Sequence, residues 1–354
     1  MKILILKYRN IGDVLLSTAL VSNLKHYFPN ALIDFAVNKE TEDILKHNPN
    51  LNKVYSYDRD IESNSSLLKK ISYEIKNLLF FRRQKYDILI NLTEGDRGVL
   101  IALFSGAEKK FSFKPRRGLL KFSNFFDQYG YESDYIHTVE RDLQFLNFLG
   151  YEKYSNKIDI FWTKEDETIV DDILKKNNLG NYVHIHPVSR WMYKCWENDR
   201  MAQLVDFISL NSDLKVVITG SNSKKEIAHI DSIIPLCKSP PINLSGLFTL
   251  NQLAYLSSKA RFFFGIDSAP MHIAAAVGTK VVALFGSSSP EIWGPWDNNQ
   301  GSTYQDIIGV QHNGQHKVFS HTDRSIFFDK NIKKGNGMVS IQIQDVLNEI
   351  KKYL

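Results

Sequence analysis

Short runs of aliphatic and β-branched residues alternate with helix-length amphipathic stretches through most of this chain, and no other feature constrains its fold so tightly. Met1–Lys7, Ala31–Val37, Val54–Tyr57 and Tyr86–Leu92 read as strands. Asp13–Phe28, Leu67–Arg83, Val99–Phe104 and Val139–Leu149 carry helical spacing between and after them, with Pro29 ending the first. Strands separated by helices cannot close as hairpins. They require crossovers, and hence a parallel sheet covered on both faces. The pattern pauses over Gly150–Asn181, where Lys, Asn and Asp surround one helical stretch, Asp166–Lys176. It resumes with strands at Val183–His186, Leu214–Thr219, Arg261–Gly265 and Val281–Phe285, and helices at Asp199–Leu210, Lys224–Pro235, Leu250–Ser258 and from Pro270. Two α/β halves with a linker near 150–181 are expected, without a repeat in the sequence itself. Gly286–Gly337 reads as polar and irregular, and Val346, Leu347, Ile350 and Leu354 mark one face of a C-terminal helix.

Composition narrows the class. Hydrophobic residues make up 43% of the 354 positions and charged residues 23%, too apolar for a disordered chain. Cys195 and Cys237 are the only cysteines, which excludes a disulfide framework, a CxxC redox site and a zinc ribbon. The apolar run Ile3–Leu6 is cut short by Lys7, Arg9 and Asp13, too soon for a signal peptide. No run approaches the ~18 apolar residues of a membrane span. A cytoplasmic placement is expected, with contact at a membrane surface left open. Net charge is +5, and Lys109, Lys110, Lys114, Arg116, Arg117 and Lys121 face only Glu108 between Ala107 and Lys121. Such a patch suits a polyanion (nucleic acid, anionic lipid or a phosphorylated glycolipid), or else it is a solvated loop.

Paired doubly wound domains bind ligands at the carboxyl ends of their strands, and the motifs fall on strand-to-helix turns. In Lys7-Tyr-Arg-Asn-Ile-Gly-Asp13, Gly12 permits close backbone approach and Asp13 opens a helix whose dipole favours a carboxylate. Asp13 is either a plain N-cap or an acceptor of a hydroxyl proton. In Asp267-Ser-Ala-Pro-Met-His272, small residues leave backbone N–H groups free for a phosphate, while Asp267 caps or binds a sugar hydroxyl. Neither a GxGxxG nor a Walker sequence occurs. His184 and His186 share one strand face without the company a metal needs. Ser189, Arg190 and Lys194 follow the same strand and suit a diphosphate, with Trp191 and Trp196 read as packing residues. Gly286-Ser-Ser-Ser289 offers either further N–H donors or a loop packed by Trp293 and Trp296, and His312, His316 and His321 read as loop residues.

Four segments together resemble glycosyltransferase family nine, the ADP-heptose:lipopolysaccharide heptosyltransferases. They are Arg9-Asn-Ile-Gly-Asp-Val-Leu-Leu-Ser-Thr18, Asn91-Leu-Thr-Glu-Gly-Asp-Arg97, His184-Ile-His-Pro with Ser189-Arg-Trp and Lys194-Cys-Trp196, and Asp267-Ser-Ala-Pro-Met-His-Ile-Ala-Ala-Ala276. The Thr-Glu-Gly-Asp-Arg and Lys-Cys-Trp details are most similar to the heptosyltransferase III members. The resemblance runs from Met1 to about Trp296 and leaves 305–340 unmatched.

The resemblance implies a GT-B fold, two Rossmann-like doubly wound domains facing across a cleft. Residues 1–160 would bind the acceptor, 161–338 the ADP-sugar, and 339–354 would form a helix packing back on the first domain. It implies inverting transfer from ADP-L-glycero-D-manno-heptose, with Asp13 as base and Lys194 facing the donor diphosphate. Gly12, Ser189, Arg190, Asp267, Ser268, Ala269 and His272 would serve the donor, Phe248 the adenine and Glu226 the ribose. Arg9, Arg97, Lys114, Arg116 and Arg117 would serve a phosphorylated lipopolysaccharide core acceptor, at the inner face of the inner membrane. No nucleic-acid partner, metal or further cofactor is expected, because fixed positive groups neutralise the leaving diphosphate. The rival readings are a member with another donor or acceptor, a GT-B-shaped nucleotide-sugar epimerase, and a non-catalytic scaffold.

Overall fold

In the computed structural model the chain divides into two compact units, Met1–Phe161 and Trp162–Leu354. All residues are described except 94, 115–117, 121–123, 132–134 and 330–331, with the backbone alone at 62–63.

The first unit is built on β1 (Lys2–Lys7), β2 (Leu32–Asn38), β3 (Lys53–Tyr57), β4 (Ile88–Asn91), β5 (Lys109–Phe113) and β6 (Gln128–Gly130). All run parallel in the order β3-β2-β1-β4-β5-β6. Ile3, Leu4, Ile5 and Leu6 are fully buried, as an unbroken aliphatic run must be when helices cover both faces. Strand order reverses between β1 and β4, and the loops leaving these two strands form the switch point where doubly wound sheets bind ligands.

Two expectations need correction here. The single helix Asp13–Phe28 is two helices, Ile11–Leu16 and Thr18–Tyr27. The break falls at Ser17-Thr18, whose hydroxyls bond back to the Asp13 carbonyl at 2.9 Å and the Leu15 carbonyl at 2.7 Å and bend the backbone. The basic run at Lys109 opens strand β5 instead of lying in a loop: Phe111 and Phe113 are buried while Lys109 stays exposed.

The second unit holds β7 (Tyr182–His186), β8 (Lys215–Ile218), β9 (Ile242–Asn243), β10 (Phe263–Ile266), β11 (Val281–Phe285), β12 (Gly309–Asn313) and β13 (His316–Ser320). Their order is β12-β13-β11-β10-β7-β8-β9, with β12 alone antiparallel. Counted outward from β7, this repeats the order of the first sheet, with its switch point between β7 and β10. The stretch expected to be irregular supplies β12 and β13, and a separate hairpin of β14 (Ile326–Asp329) and β15 (Ile332–Gly335). His312 and His316 therefore lie on strands; His316 is buried and accepts from the Val281 N–H at 3.2 Å.

The C-terminal helix Ile343–Ile350 does not belong to the first unit, as the resemblance implied. Val346 and Ile350 are fully buried in the second unit's core with Val205, Ile208 and Phe262. Its approach is fixed by Trp196 and Arg200, which donate to the Ile341 carbonyl at 3.1 and 2.7 Å, and by a Lys317–Glu349 ion pair. The second unit thus continues to Leu354.

Candidate active site

In the first unit the chain leaves β1 through Tyr8, Arg9 and Asn10. Asn10 is extended (φ −84°, ψ 171°) and makes no side-chain cap, so Gly12 and Asp13 fall inside the first turn of helix Ile11–Leu16. Asp13 is therefore not the N-cap. Its carboxylate is 6% exposed and accepts from Arg9 Nε at 3.3 Å, with the helix dipole adding to that attraction. Asn38, at the end of β2, donates to the Arg9 carbonyl at 3.0 Å, and Tyr8 N–H donates to Thr93 Oγ1 at 2.7 Å. Arg97 lies over the Tyr57 ring at 3.7 Å, donates to the Tyr57 hydroxyl at 2.8 Å and pairs with Glu74 at 3.3 Å. The carboxyl ends of β1, β2, β3 and β4 thus carry two guanidinium–carboxylate pairs, Arg9–Asp13 and Arg97–Glu74. Lys114 is exposed beyond β5, and Arg116 and Arg117 lie outside the described residues.

Behind Asp13 sits an ion pair that the sequence did not reveal. Lys7 Nζ meets Asp142 at 2.8 Å with both side chains at most 1% exposed, and Arg141 approaches Asp142 at 3.2 Å. The Ser17 hydroxyl donates to Asp142 at 2.6 Å while lying 2.9 Å from the Asp13 carbonyl oxygen. Burial alone would raise the Asp142 carboxyl, but the charges of Lys7 and Arg141, with hydrogen bonds from Lys7 and Ser17, hold it below its usual range.

In the second unit, the loop after β7 forms a short 3₁₀ turn, Met192–Lys194, that carries the Lys194 amine to the end of β10. There Lys194 Nζ meets the Asp267 carboxylate at 2.5 Å, and Ser288, from the loop after β11, donates to the same oxygen. Burial would raise Asp267; Lys194, His272 and the Ser288 hydrogen bond outweigh it and keep the carboxyl low. Ser268 occupies the cap position of helix Ala269–Ala276 but donates to the Ile266 carbonyl at 3.2 Å, so its side chain caps no helix N–H. Ser268, Ala269 and Pro270 stay partly exposed at that helix start, while His272 is buried. Three strand ends therefore contribute an amine, a carboxylate and a hydroxyl beside a helix N-terminus, a setting that favours anions.

The other expected donor residues separate by burial. The Ser189 hydroxyl is buried and accepts from the Trp191 N–H at 3.3 Å; Arg190 is exposed. Trp191 does not pack inside: it is 41% exposed, with the Lys194 amine 5.4 Å from its ring centre, whereas Trp196 is buried. Glu226 is nearly buried and accepts from the Ser221 N–H at 2.8 Å, and Phe248 is half-buried before helix Leu250–Lys259. His184 and His186 both reach the Thr219 hydroxyl, at 2.7 and 2.9 Å. Burial lowers His186 to about 4, against an opposing pull from Glu226, so the pair is held neutral inside the sheet. Among the described residues no group of three His, Cys, Asp or Glu side chains is placed to hold a metal.

The pattern described as glycosyltransferase family 9 (heptosyltransferase) matches residues 79–323. The chain is 33% identical over 302 residues to lipopolysaccharide heptosyltransferase 3 of Escherichia coli K12, covering 81% of this chain and 83% of that protein. This chain belongs to glycosyltransferase family 9. It is a glycosyltransferase.

Solved structures agree on the fold. A family 9 glycosyltransferase from Veillonella parvula superposes with a TM-score of 0.81 at 20% identity, covering 99% of this chain and 96% of that one. The E. coli heptosyltransferase WaaC, solved with ADP, superposes at 0.70 and 17% identity over the whole of both chains. The two Rossmann-like sheets are thus those of the GT-B class. Within this family 9 chain, the Asp13 and Asp267 motifs each occupy a switch point, a placement their strand-to-helix spacing already indicated. Lys7, Ser17, Asp142 and Thr219 carried no such signal.

Proposed function

We propose that this chain is an inverting heptosyltransferase of type III, moving heptose from ADP-L-glycero-D-manno-heptose to the phosphorylated inner core of lipopolysaccharide. The Lys194–Asp267–Ser288 cluster at the start of helix Ala269–Ala276 carries this reading. The likeness to heptosyltransferase 3 supports the acceptor, and the ADP held by WaaC supports the donor.

In the transfer, an acceptor hydroxyl oxygen bonds to the anomeric carbon as the bond from that carbon to the diphosphate oxygen breaks. The electron pair leaves with ADP, and the hydroxyl proton passes to Asp13. Negative charge grows on the leaving diphosphate, where the Lys194 ammonium and the helix N–H groups lower its energy. These groups take the part a metal plays elsewhere, so no step is assigned to one. Donor recognition falls to the second unit, with Gly12 of the first, Glu226 at the ribose and Phe248 at adenine. Acceptor phosphates fall to Arg9, Arg97, Lys114, Arg116 and Arg117. The enzyme would work in the cytoplasm at the inner face of the inner membrane, and nucleic acid is no partner.

Incubation with ADP-heptose and heptose-truncated core lipid tests the reading by product mass. The expected result is a gain of one heptose with release of ADP. Asp13→Asn is expected to lower turnover by about 10²–10⁴-fold while ADP binding stays unchanged. Release of free epimerised sugar without an acceptor would overturn it in favour of an epimerase.

A further inference from the structure

The helix Leu67–Arg83 buries Phe81 and, in part, Leu78 against the unit yet carries a second apolar row on the side turned to solvent. Lys70, Glu74, Asn77 and Phe81 share the side turned toward the unit, where Glu74 accepts from the Tyr57 hydroxyl at 2.5 Å and pairs with Arg97. The side turned to solvent carries Leu68 at 80% exposure, Ile71 at 47%, Ile75 at 50% and Leu79 at 48%. At 100° per residue these four lie within one quadrant of the helix. Exposed Lys69, Lys76 and Arg83 run along one side of the row and exposed Arg82 closes its C-terminal end, while Glu74, the helix's only carboxylate, is paired with Arg97. Arg82 Nη1 donates to the Phe104 carbonyl at 3.4 Å, which brings exposed Leu103 and Phe104 alongside the stripe.

A row of aliphatic side chains facing water is unfavourable unless something covers it. We propose that this face is the membrane-docking surface of the enzyme, with the aliphatic row set into the headgroup boundary of an anionic bilayer and the four cations beside the lipid phosphates. Charge decides between a lipid surface and a second copy of this chain. A two-fold pairing through this helix would bring cations against cations, whereas an anionic bilayer complements both parts of the face. The inference deepens the reading above, whose acceptor is lipid-anchored, but it is measured with neither donor nor acceptor present.

Co-sedimentation of the full chain with phosphatidylglycerol–phosphatidylcholine vesicles, against phosphatidylcholine alone, tests it at low and high salt. Binding to the anionic vesicles that weakens with salt is expected. Leu68→Asp/Ile75→Asp/Leu79→Asp is expected to weaken partition by more than about tenfold, since each side chain loses its transfer from water. Lys69→Glu/Lys76→Glu should weaken it on anionic vesicles only, with Tm unchanged in that variant because both lysines are exposed, and cooperative thermal unfolding showing that the triple variant remains folded. A wild-type chain that stays in the supernatant, or variants that bind as wild type does, overturn the proposal. So does a triple variant that dissolves a dimer in sedimentation velocity while vesicle binding persists. Transfer to a lipid-free core oligosaccharide should survive the triple substitution. If wild type binds vesicles yet transfers no heptose, the catalytic reading falls and the docking surface stands.

Discussion

Replacing Asp142 with Asn removes the carboxylate bonded to the Lys7 ammonium, whose side chain is 0% exposed at the end of β1. The Arg141 guanidinium, 3.2 Å from the same carboxylate, is left in place, so a buried cation loses its counter-charge while a second one remains near. Breaking such a pair from one side costs about 3–5 kcal/mol, against about 5–15 kcal/mol for a whole domain. The loss should fall on the first unit and loosen the Ser17 junction behind Asp13. Urea titration followed by amide hydrogen exchange in peptides spanning 2–16 and 138–148 reads it directly. Tryptophan fluorescence is the wrong probe, because all 5 tryptophans lie from Trp162 onward. Substituting both partners by apolar residues, Lys7→Met/Asp142→Leu, should return stability to within about 1 kcal/mol of wild type. A single variant costing less than about 1 kcal/mol, or a double variant as weak as the single, would refute the reasoning. The pair also sets an acid limit. Asp142 is held below its ordinary value, so its contribution is full above about pH 3.9 and is lost as pH falls from there through the lowered folded value.

Lys194→Ala should lower kcat/KM for ADP-heptose by about 10²–10³-fold, as loss of one charge-stabilising donor does; unaltered steady-state kinetics would remove Lys194 from the leaving group. His186, with its value lowered to about 4 from 6.5, is neutral when folded while the unfolded chain takes up a proton. Its contribution is therefore full above pH 6.5 and lost toward pH 4, and His186→Asn should flatten the slope of the fluorescence-detected urea midpoint across that window. Arg116→Glu/Arg117→Glu should raise the KM for core lipid and spare ADP affinity; equal acceptor kinetics would discard the basic segment as an acceptor contact.

Local pattern was legible where one residue's neighbours in sequence decide its environment. Ile3–Leu6 announced a buried strand, and Asp13 and Asp267 stood at strand ends where a helix must follow. Lys7 was read only as an interruption of an apolar run, since its partner Asp142 lies 135 residues away and pairs through the fold. The charge of Lys109 and Lys110 masked the alternation that makes Phe111 and Phe113 a strand's inner face. The polar composition after Gly286 hid β12 to β15: edge strand β12 and hairpin β14–β15 leave apolar side chains exposed, Val310 at 40% and Ile332 at 59%, and β13, paired on both sides, buries polar His316 and Ser320 beside Val318 and Phe319. For the C-terminal helix the apolar face was legible in Val346 and Ile350, but not the surface it covers. The carbonyls of Val339 and Ile341 that anchor its approach look like nothing in a sequence.

Lys194 is not a bare charge waiting for phosphate, since Asp267 already neutralises it and Ser288 completes the contact. An incoming anion meets an amine already shared with an internal carboxylate, which weakens the pull on a lone phosphate. On the proposed reading, a ligand presenting two linked phosphoryl groups would engage the amine and the helix start together, so the closed triad would favour a diphosphate over a single inorganic anion.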